Sequence, residues 1–320
     1  MYRSWLKVFI FPVLLYLCAG ARAQRIVWWN VENLFDCQDD SLKEDEQFLP
    51  EGEYHWTKNH YWKKLDNLSR TIAAIAGNED WPIIVGMCEV ENDTVLHDLT
   101  RRSTLRVAHY AYVHEEGPDV RGIDVAMLYD SLQFRLHGHE AIRIPSAEHG
   151  YRPTRDILHA WGLCPTVPDT LHIIIVHLPS RAGSGRKGEA HRKLAASTLC
   201  HVLDNLSNKN VLLMGDFNAE PGDAIFRSIG ERMTSLMPQT RRELRRAQGT
   251  YYFRNLWGFL DHILVSPRLH PYCQKVKVGR FPFLLTEKGT PWRTFQGPVY
   301  KGGFSDHLPI WVDLHEDKTP

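Results

Sequence analysis

The residues best suited to chemistry are carboxylates, amides and imidazoles that stand where apolar runs stop. In Val211-Leu212-Leu213-Met214-Gly215-Asp216-Phe217-Asn218, a buried-strand pattern turns at Gly215 into a carboxylate and an amide. Side chains at i and i+2 on a strand end project the same way, so Asp216 and Asn218 can share one ligand. Glu89 ends the apolar run 83–88, and a carboxylate emerging there needs a cation or hydrogen bonds. Asn30 follows the run 25–29, where its amide could coordinate a metal or cap a loop. His177 closes the run 171–176, Asp261 stands near the start of 258–266, and Asp306-His307 precede the last apolar run. Oxygen donors and imidazoles strung out in this way outline a metal or phosphate site.

Other chemistries lack their signatures. Ser305-Asp306-His307 is not a protease relay, since chain neighbours do not form one. No GxSxG or Walker A loop is present. No CxxC or Cys/His cluster suggests zinc.

These residues must be held by strands and helices of distinct period. Strand patterns cover 25–29, 82–88, 106–114, 123–129, 134–140, 156–164, 171–176, 211–214, 258–266 and 308–312. Helix periodicity appears at 62–76, through Leu65, Leu68, Ile72 and Ile75, and again at 93–102, 189–206 and 223–229. In the third helix, Leu194, Ser197, Thr198, Cys200, His201 and Leu203 are expected to cover a sheet. The acidic stretch 36–53 reads as a surface loop. Loop 178–187 combines glycines with Arg181, Arg186 and Lys187, which suits either a phosphate or plain solvation. The run Arg241, Arg242, Arg245 and Arg246 reads as a solvated face. Tyr251-Tyr252-Phe253 and the loop around Trp292 could stack bases or border a lipid, and are expected to pack the core.

The chain has 320 residues, with 38 basic and 38 acidic side chains, so it has no global attraction for nucleic acid or anionic membranes. Arg3 and Lys7 precede an apolar run at 8–17, and Ala21-Arg22-Ala23 offers a cleavage point before Gln24. Residues 1–23 are therefore expected to be a signal peptide and 24–320 one catalytic domain. The product is expected in the periplasm or outside the cell, as a monomer without a membrane span. Cys88 and Cys164 lie in apolar runs, so buried thiols are expected there, with room for one disulfide elsewhere.

Six motifs in order carry a resemblance. Trp29-Asn30-Val31-Glu32-Asn33, Glu89 at a strand end, Val176-His177-Leu178-Pro179, Gly215-Asp216-Phe217-Asn218, Leu260-Asp261-His262-Ile263 and Ser305-Asp306-His307 resemble the endonuclease/exonuclease/phosphatase superfamily over about residues 25–314. That superfamily includes pancreatic-type deoxyribonucleases, exonuclease III-type repair enzymes, sphingomyelinases and inositol-polyphosphate 5-phosphatases. The resemblance implies a deoxyribonuclease I-like fold, a four-layer α/β/β/α sandwich with two packed mixed β-sheets. It also implies Mg²⁺ or Mn²⁺ held by Asn30, Glu89 and Asp306, with Glu32 close by.

Carried over by position, Asp216 and Asn218 would activate water, or bind a second metal, and His307 oriented by Asp261 would act on the nucleophile or phosphate. His177 would assist the leaving group. Arg121 and Arg181 are candidates for phosphate contact, with ordinary surface guanidinium groups as the alternative. A histidine at 177 is similar to the secreted deoxyribonucleases, whereas the repair enzymes carry tyrosine. The implied activity is phosphodiester hydrolysis on nucleic acid. The alternatives are a phosphomonoesterase, a sphingomyelinase-like phospholipid hydrolase, or a non-enzymatic binding module on the same fold.

Overall fold

The computed structural model describes residues 24–78, 80–180, 185–238, 242–243 and 248–316. Residues 1–23, Arg181, Arg241, Arg245 and Arg246 lie outside the described residues, and with them the signal-peptide, loop-arginine and basic-run expectations.

Among the described residues sixteen strands carry the fold. They are β1 (Gln24–Leu34), β2 (Ile84–Val90), β3 (Ala111–His114), β4 (Asp124–Tyr129), β5 (Arg135–Ile142), β6 (Ile157–Leu163), β7 (Leu171–His177) and β8 (Asn210–Asp216). After them come β9 (Thr234–Ser235), β10 (Tyr251–Phe253), β11 (Leu256–Gly258), β12 (Asp261–Val265), β13 (Lys277–Val278), β14 (Phe295–Gln296), β15 (Val299–Tyr300) and β16 (Ile310–Leu314). The helices are α1 (Lys58–Ala76), α2 (Asp93–His97), α3 (Gly185–Asn205) and α4 (Ile225–Gly230).

Two six-stranded mixed sheets form the centre. One runs β13-β16-β1-β2-β4-β3 and the other β5-β6-β7-β8-β12-β9. Their inner faces meet through Ile26, Trp28, Ile84 and Met127 on one side and Ile173, Ile175, Met214 and Ile263 on the other. Period-2 alternation sends the remaining residues outward. Val27, Trp29, Val85 and Met87 pack under α1, through Leu65, Leu68 and Ile72. Ile174, Val176, Val211 and Leu213 pack under α3 and α4. The result is the four-layer α/β/β/α sandwich that the motifs imply.

Local expectations differ in several places. The β8 strand does not turn at Gly215 but runs on to Asp216. Gly215 is there for packing, because a Cβ would come within 2.2 Å of the Val176 carbonyl on β7. Residues 104–108 form a 3₁₀ turn rather than strand. The Ser103 hydroxyl caps the Leu105 amide, and His109 adopts φ 53°, which leaves only β3 extended. Stretch 36–53 is more than surface loop, since Phe48 is buried and stacks on Phe35 at 4.1 Å. On α3 the buried stripe is Ala195, Ala196, Leu199, Cys200, Val202 and Leu203. Ser197 and His201 face solvent, because the 3.6-residue period places them opposite that stripe. Cys37, Cys88, Cys164, Cys200 and Cys273 are all free thiols, and Cys88 and Cys164 are buried as expected. Among the described residues no helix is long and apolar enough to cross a membrane.

Candidate active site

Register brings the chemistry together. His177 pairs with Asp216 across the parallel β7–β8 ladder, and Asp261 pairs with Asp216 across the antiparallel β8–β12 ladder. Three adjacent strands of one sheet thus end on an imidazole and two carboxylates. Trp28 and Asn30 alternate onto the inner face of β1 and reach those carboxylates from the other sheet. Trp28 Nε1 donates to Asp261 Oδ1 at 2.8 Å, and Asn30 Nδ2 donates to Asp216 Oδ2 at 3.1 Å.

His307 completes the floor. Its Nδ1–H donates to Asp261 Oδ2 at 2.7 Å, which fixes the tautomer and leaves Nε2 3.8 Å from Asp216 Oδ2. The loop that holds it is clamped by Ser305, whose hydroxyl donates to the Asn30 carbonyl at 2.7 Å and accepts from the His307 amide. Ser305 thereby ties the His307 loop to β1. His177 Nε2 also lies 3.8 Å from Asp216 Oδ2, while its Nδ1 is buried with no hydrogen-bond partner among the described residues.

Burial is equal for the two carboxylates, but their partners are not. Burial opposes ionisation of Asp261, yet His307 and Trp28 hold it below its ordinary value. Burial pushes Asp216 up to about 7, with His307, the Asn218 amide and Asn30 opposing and Asp261 adding. His307 is raised well above the usual imidazole range, since the Asp261 carboxylate, with Asp306 and Asp216 behind it, overcomes desolvation. His177 is lowered well below it by burial and by Arg155, Arg121 and His307, so it stays neutral. One oriented, charge-supported imidazole beside one neutral imidazole is an arrangement for moving protons.

Glu89 sits where the β1–β2 pairing breaks. Register jumps from Asn30↔Cys88 to Leu34↔Val90, so Val31, Glu32 and Asn33 lie opposite Glu89 alone. Glu32, Asn33 and Glu89 take φ of 52°, 54° and 62°, a left-handed backbone that is rare for such residues. The bulge turns the Glu89 carboxylate into the site, where Asn30 Nδ2 and the Asn33 amide hold its two oxygens at 3.2 and 2.9 Å. Asn30 thus lies inside β1 rather than past it, and its own Oδ1 accepts from the Glu32 amide. Asn218, at φ 47°, caps Asp216 through its backbone amide and donates from Nδ2 to the Leu178 carbonyl. Asp306 stands at the rim, with Arg293 3.5 Å away.

Several supports escaped the sequence reading. Lys64 is buried beneath the site, donating to Thr294 Oγ1 at 2.6 Å and to the Phe304 carbonyl at 2.7 Å. Burial brings its ammonium down to about 8, opposed by Glu32, Asp306 and Glu89. Its spacing held a signal, because Lys64 shares the buried stripe of α1 with Leu68. Arg155 lies behind His177, bonded to Asp119 Oδ2 at 3.1 Å and to the Leu178 carbonyl at 2.8 Å. Arg121, a candidate phosphate contact, is bidentate to Asp119 through Nε and Nη2. Nothing local marks Arg155, because its partners lie far away in the chain. His262 stays neutral, lowered to about 4 by burial, with Nε2 bridging the Ala219 and Phe259 carbonyls.

Beside the floor opens a cleft of about 470 Å³, lined by Tyr252, Phe253, Arg254, Trp292, Arg293 and Lys301 among others. Phe253 is 52% exposed and Trp292 39%, so these aromatics line a surface rather than packing the core. The β10–β11 hairpin carries Phe253, and the loop before β14 carries Trp292. Tyr251 joins wall to floor, with its ring 4.6 Å from that of His307.

A family model described as "Endonuclease/Exonuclease/phosphatase family" matches residues 25–316. The chain belongs to this family. Members of the endonuclease/exonuclease/phosphatase family hydrolyse phosphate esters with divalent metals, and this chain is such a hydrolase. A mannosyl-6-phosphatase from Bacteroides thetaiotaomicron shares the fold with a TM-score of 0.58 at 16% identity, over 91% of this chain and 99% of that one. The human Nocturnin catalytic domain with bound sulfate gives 0.56 at 19%, over 91% and 94%. D. rerio TDP2 complexed with single-strand DNA product gives 0.55 at 16%, over 92% and 99%. No curated protein matches the chain.

The donor set fits the metal that the family implies. Asp216, Asp261 and His307 offer ligand atoms within 4.8 Å of one another. Glu89, Asp216 and Asp306 bring further carboxylate oxygens to the same place, with the Asn30 amide bonded to two of them. An all-oxygen set of this kind suits Mg²⁺ or Mn²⁺.

Proposed function

We propose that the chain is a Mg²⁺- or Mn²⁺-dependent phosphodiesterase that acts on nucleic acid. The observation that carries the reading is the juxtaposition of the Asp261–His307 pair with a cleft wall bearing both exposed aromatics and guanidinium and ammonium groups. A phosphodiester with flanking bases presents the complementary features: a negative charge for Arg254 and Lys301, and flat faces for Phe253 and Trp292. The TDP2 relative, complexed with a DNA product, supports this substrate class.

In this reading Glu89 and Asp306 hold the metal, and Asn30 keeps the Glu89 and Asp216 carboxylates aligned. When bound, the cation neutralises phosphate charge and orients the ester. Asp216 and Asn218 position the attacking water. His307, steadied by Asp261, faces the nucleophile and phosphate with Nε2 and accepts or returns a proton there. His177, kept neutral, hydrogen-bonds the phosphate or leaving oxygen. Arg155 and Asp119 hold the ground behind it.

One observation favours a second reading. Thr286, Thr290 and Gln296 share the cleft with Trp292, and hydroxyl and amide groups beside an aromatic face also suit a sugar phosphate monoester. The mannosyl-6-phosphatase relative points the same way. Turnover of plasmid DNA, RNA, sphingomyelin, phosphoinositides, mannose 6-phosphate and a generic bis-phosphodiester, with Mg²⁺, Mn²⁺ or EDTA, separates the readings. Metal-dependent cleavage of DNA or RNA is expected, and turnover of the sugar phosphate alone would move the assignment to a monoesterase. The reading includes export as a monomer with cleavage before Gln24, so a mature N-terminus elsewhere refutes that part.

A further inference from the structure

We propose that His114, Glu116 and Asp124 form a second divalent-cation site, of the zinc type, at the base of the turn between β3 and β4. One ring nitrogen of His114 and one carboxylate oxygen each from Glu116 and Asp124 lie within 4.8 Å of one another. Metal–ligand distances of about 2.0–2.2 Å require tetrahedral ligands about 3.4 Å apart, so small side-chain rotations close the set.

The imidazole is built for this task. The His114 side chain is only 2% exposed, and its Nδ1 is paired with Asp93 Oδ1 at 3.1 Å. A histidine that donates Nδ1–H to a carboxylate presents a lone pair at Nε2, the orientation found around protein-bound zinc. That Nε2 is buried, has no hydrogen-bond partner among the described residues, and faces Asp124 Oδ2 at 3.9 Å. Two electron-rich atoms aimed at each other in a dry interior call for a cation between them. An imidazolium is the alternative, but 3.9 Å is too long for a hydrogen bond.

The turn is shaped around the same carboxylate. The Gly117 amide donates to Asp124 Oδ2 at 3.0 Å, and a Cβ at Gly117 would stand 2.2 Å from Asp124 Oδ1. Lys43 is the rival cation, with Nζ 3.6 Å from Glu116 Oε2. It is anchored by the Gly117 and Asp119 carbonyls at 2.8 and 3.4 Å, so Glu116, which is 55% exposed, is the partner that turns inward. A cation here pins the turn that carries Asp119 and Arg121 toward the candidate active site. A histidine with two carboxylates favours Zn²⁺ over Mg²⁺.

The test is Zn²⁺ uptake after dialysis, measured together with the melting temperature. Wild type is expected to bind one Zn²⁺ more than His114→Asn and to melt higher with it, and Glu89→Gln is expected to keep that ion. Asp93→Asn is expected to weaken it by about 10–100-fold through loss of the orienting bond. Glu116→Gln changes an exposed side chain and leaves the fold intact, so it serves if His114→Asn does not fold; weaker Zn²⁺ binding is expected. Equal uptake by wild type and His114→Asn, or an unchanged Zn²⁺ titration in Glu116→Gln, overturns the site.

Discussion

The floor and the wall of the candidate active site are built on opposite principles. On the floor every group is tied: Asp261 by Trp28 and His307, Asp216 by Asn30, and Glu89 by Asn30 and Asn33. Asp261 and Asp216 are buried, and Glu89 is half-buried. On the wall Phe253 is exposed on the β10–β11 hairpin and Trp292 on the loop that leads into β14. Preorganised dipoles and charges act on developing charge, whereas exposed aromatics and cations act on whatever part of a substrate lies alongside. On the function proposed above, the chemical step belongs to the sandwich and substrate selection to its appendages.

The sharpest way to break that division is to remove floor groups. His307→Ala and Asp216→Ala are expected to lower kcat by about 10²–10⁴-fold, with unchanged far-UV circular dichroism. Retained turnover in either would remove that residue from the mechanism. Asp261→Asn keeps the shape but loses the charge that supports the imidazolium. We expect kcat to fall by about 10²-fold, with the pH–rate profile shifted to lower pH because His307 then protonates less readily. An unshifted profile would mean that Asp261 is only a packing residue.

Wall variants should behave differently. Trp292→Ala and Phe253→Ala are expected to raise KM on single-stranded substrate about tenfold each and to leave kcat nearly unchanged, since a stacked base contributes about 1–3 kcal/mol. Lys301→Ala should also flatten the salt dependence of KM. If these changes cost kcat as heavily as those on the floor, the two regions are not separable.

The smallest effect concerns stability behind the floor. Burial opposes the charge on Asp119, but the Arg121 and Arg155 guanidinium groups hold its carboxyl below its ordinary value. A depressed folded-state pKa adds stability that is complete above about 4 and is lost as pH falls through the folded value. Melting temperature should therefore drop as pH falls below about 4 in wild type, and less steeply in Asp119→Asn.

The floor was the legible part. Asp216, Glu89 and His177 stand where apolar runs stop and His307 where one begins, and a run bounded by such groups is visible without coordinates. The bulge at Asn30–Leu34 was not, because it arises from pairing β1 with a strand some fifty residues away. Arg155 hides for the same reason, as its partners Asp119 and Leu178 are neighbours only in space. The wall was misread because aromatic residues have the same composition whether they fill a core or border a cleft. Only the hairpin pairing of Tyr251–Phe253 with Leu256–Gly258 decides which.

The left-handed backbone at Glu89 has a consequence for anyone who engineers this protein. Holding a glutamate at φ 62° costs on the order of 1–3 kcal/mol, which a glycine would recover. A selection for heat resistance alone would thus favour Glu89→Gly, gaining robustness by discarding a carboxylate of the candidate metal site. Thermostable variants of this enzyme should be screened for turnover at the same time, because a strained residue of its backbone is also a carboxylate of the candidate metal site.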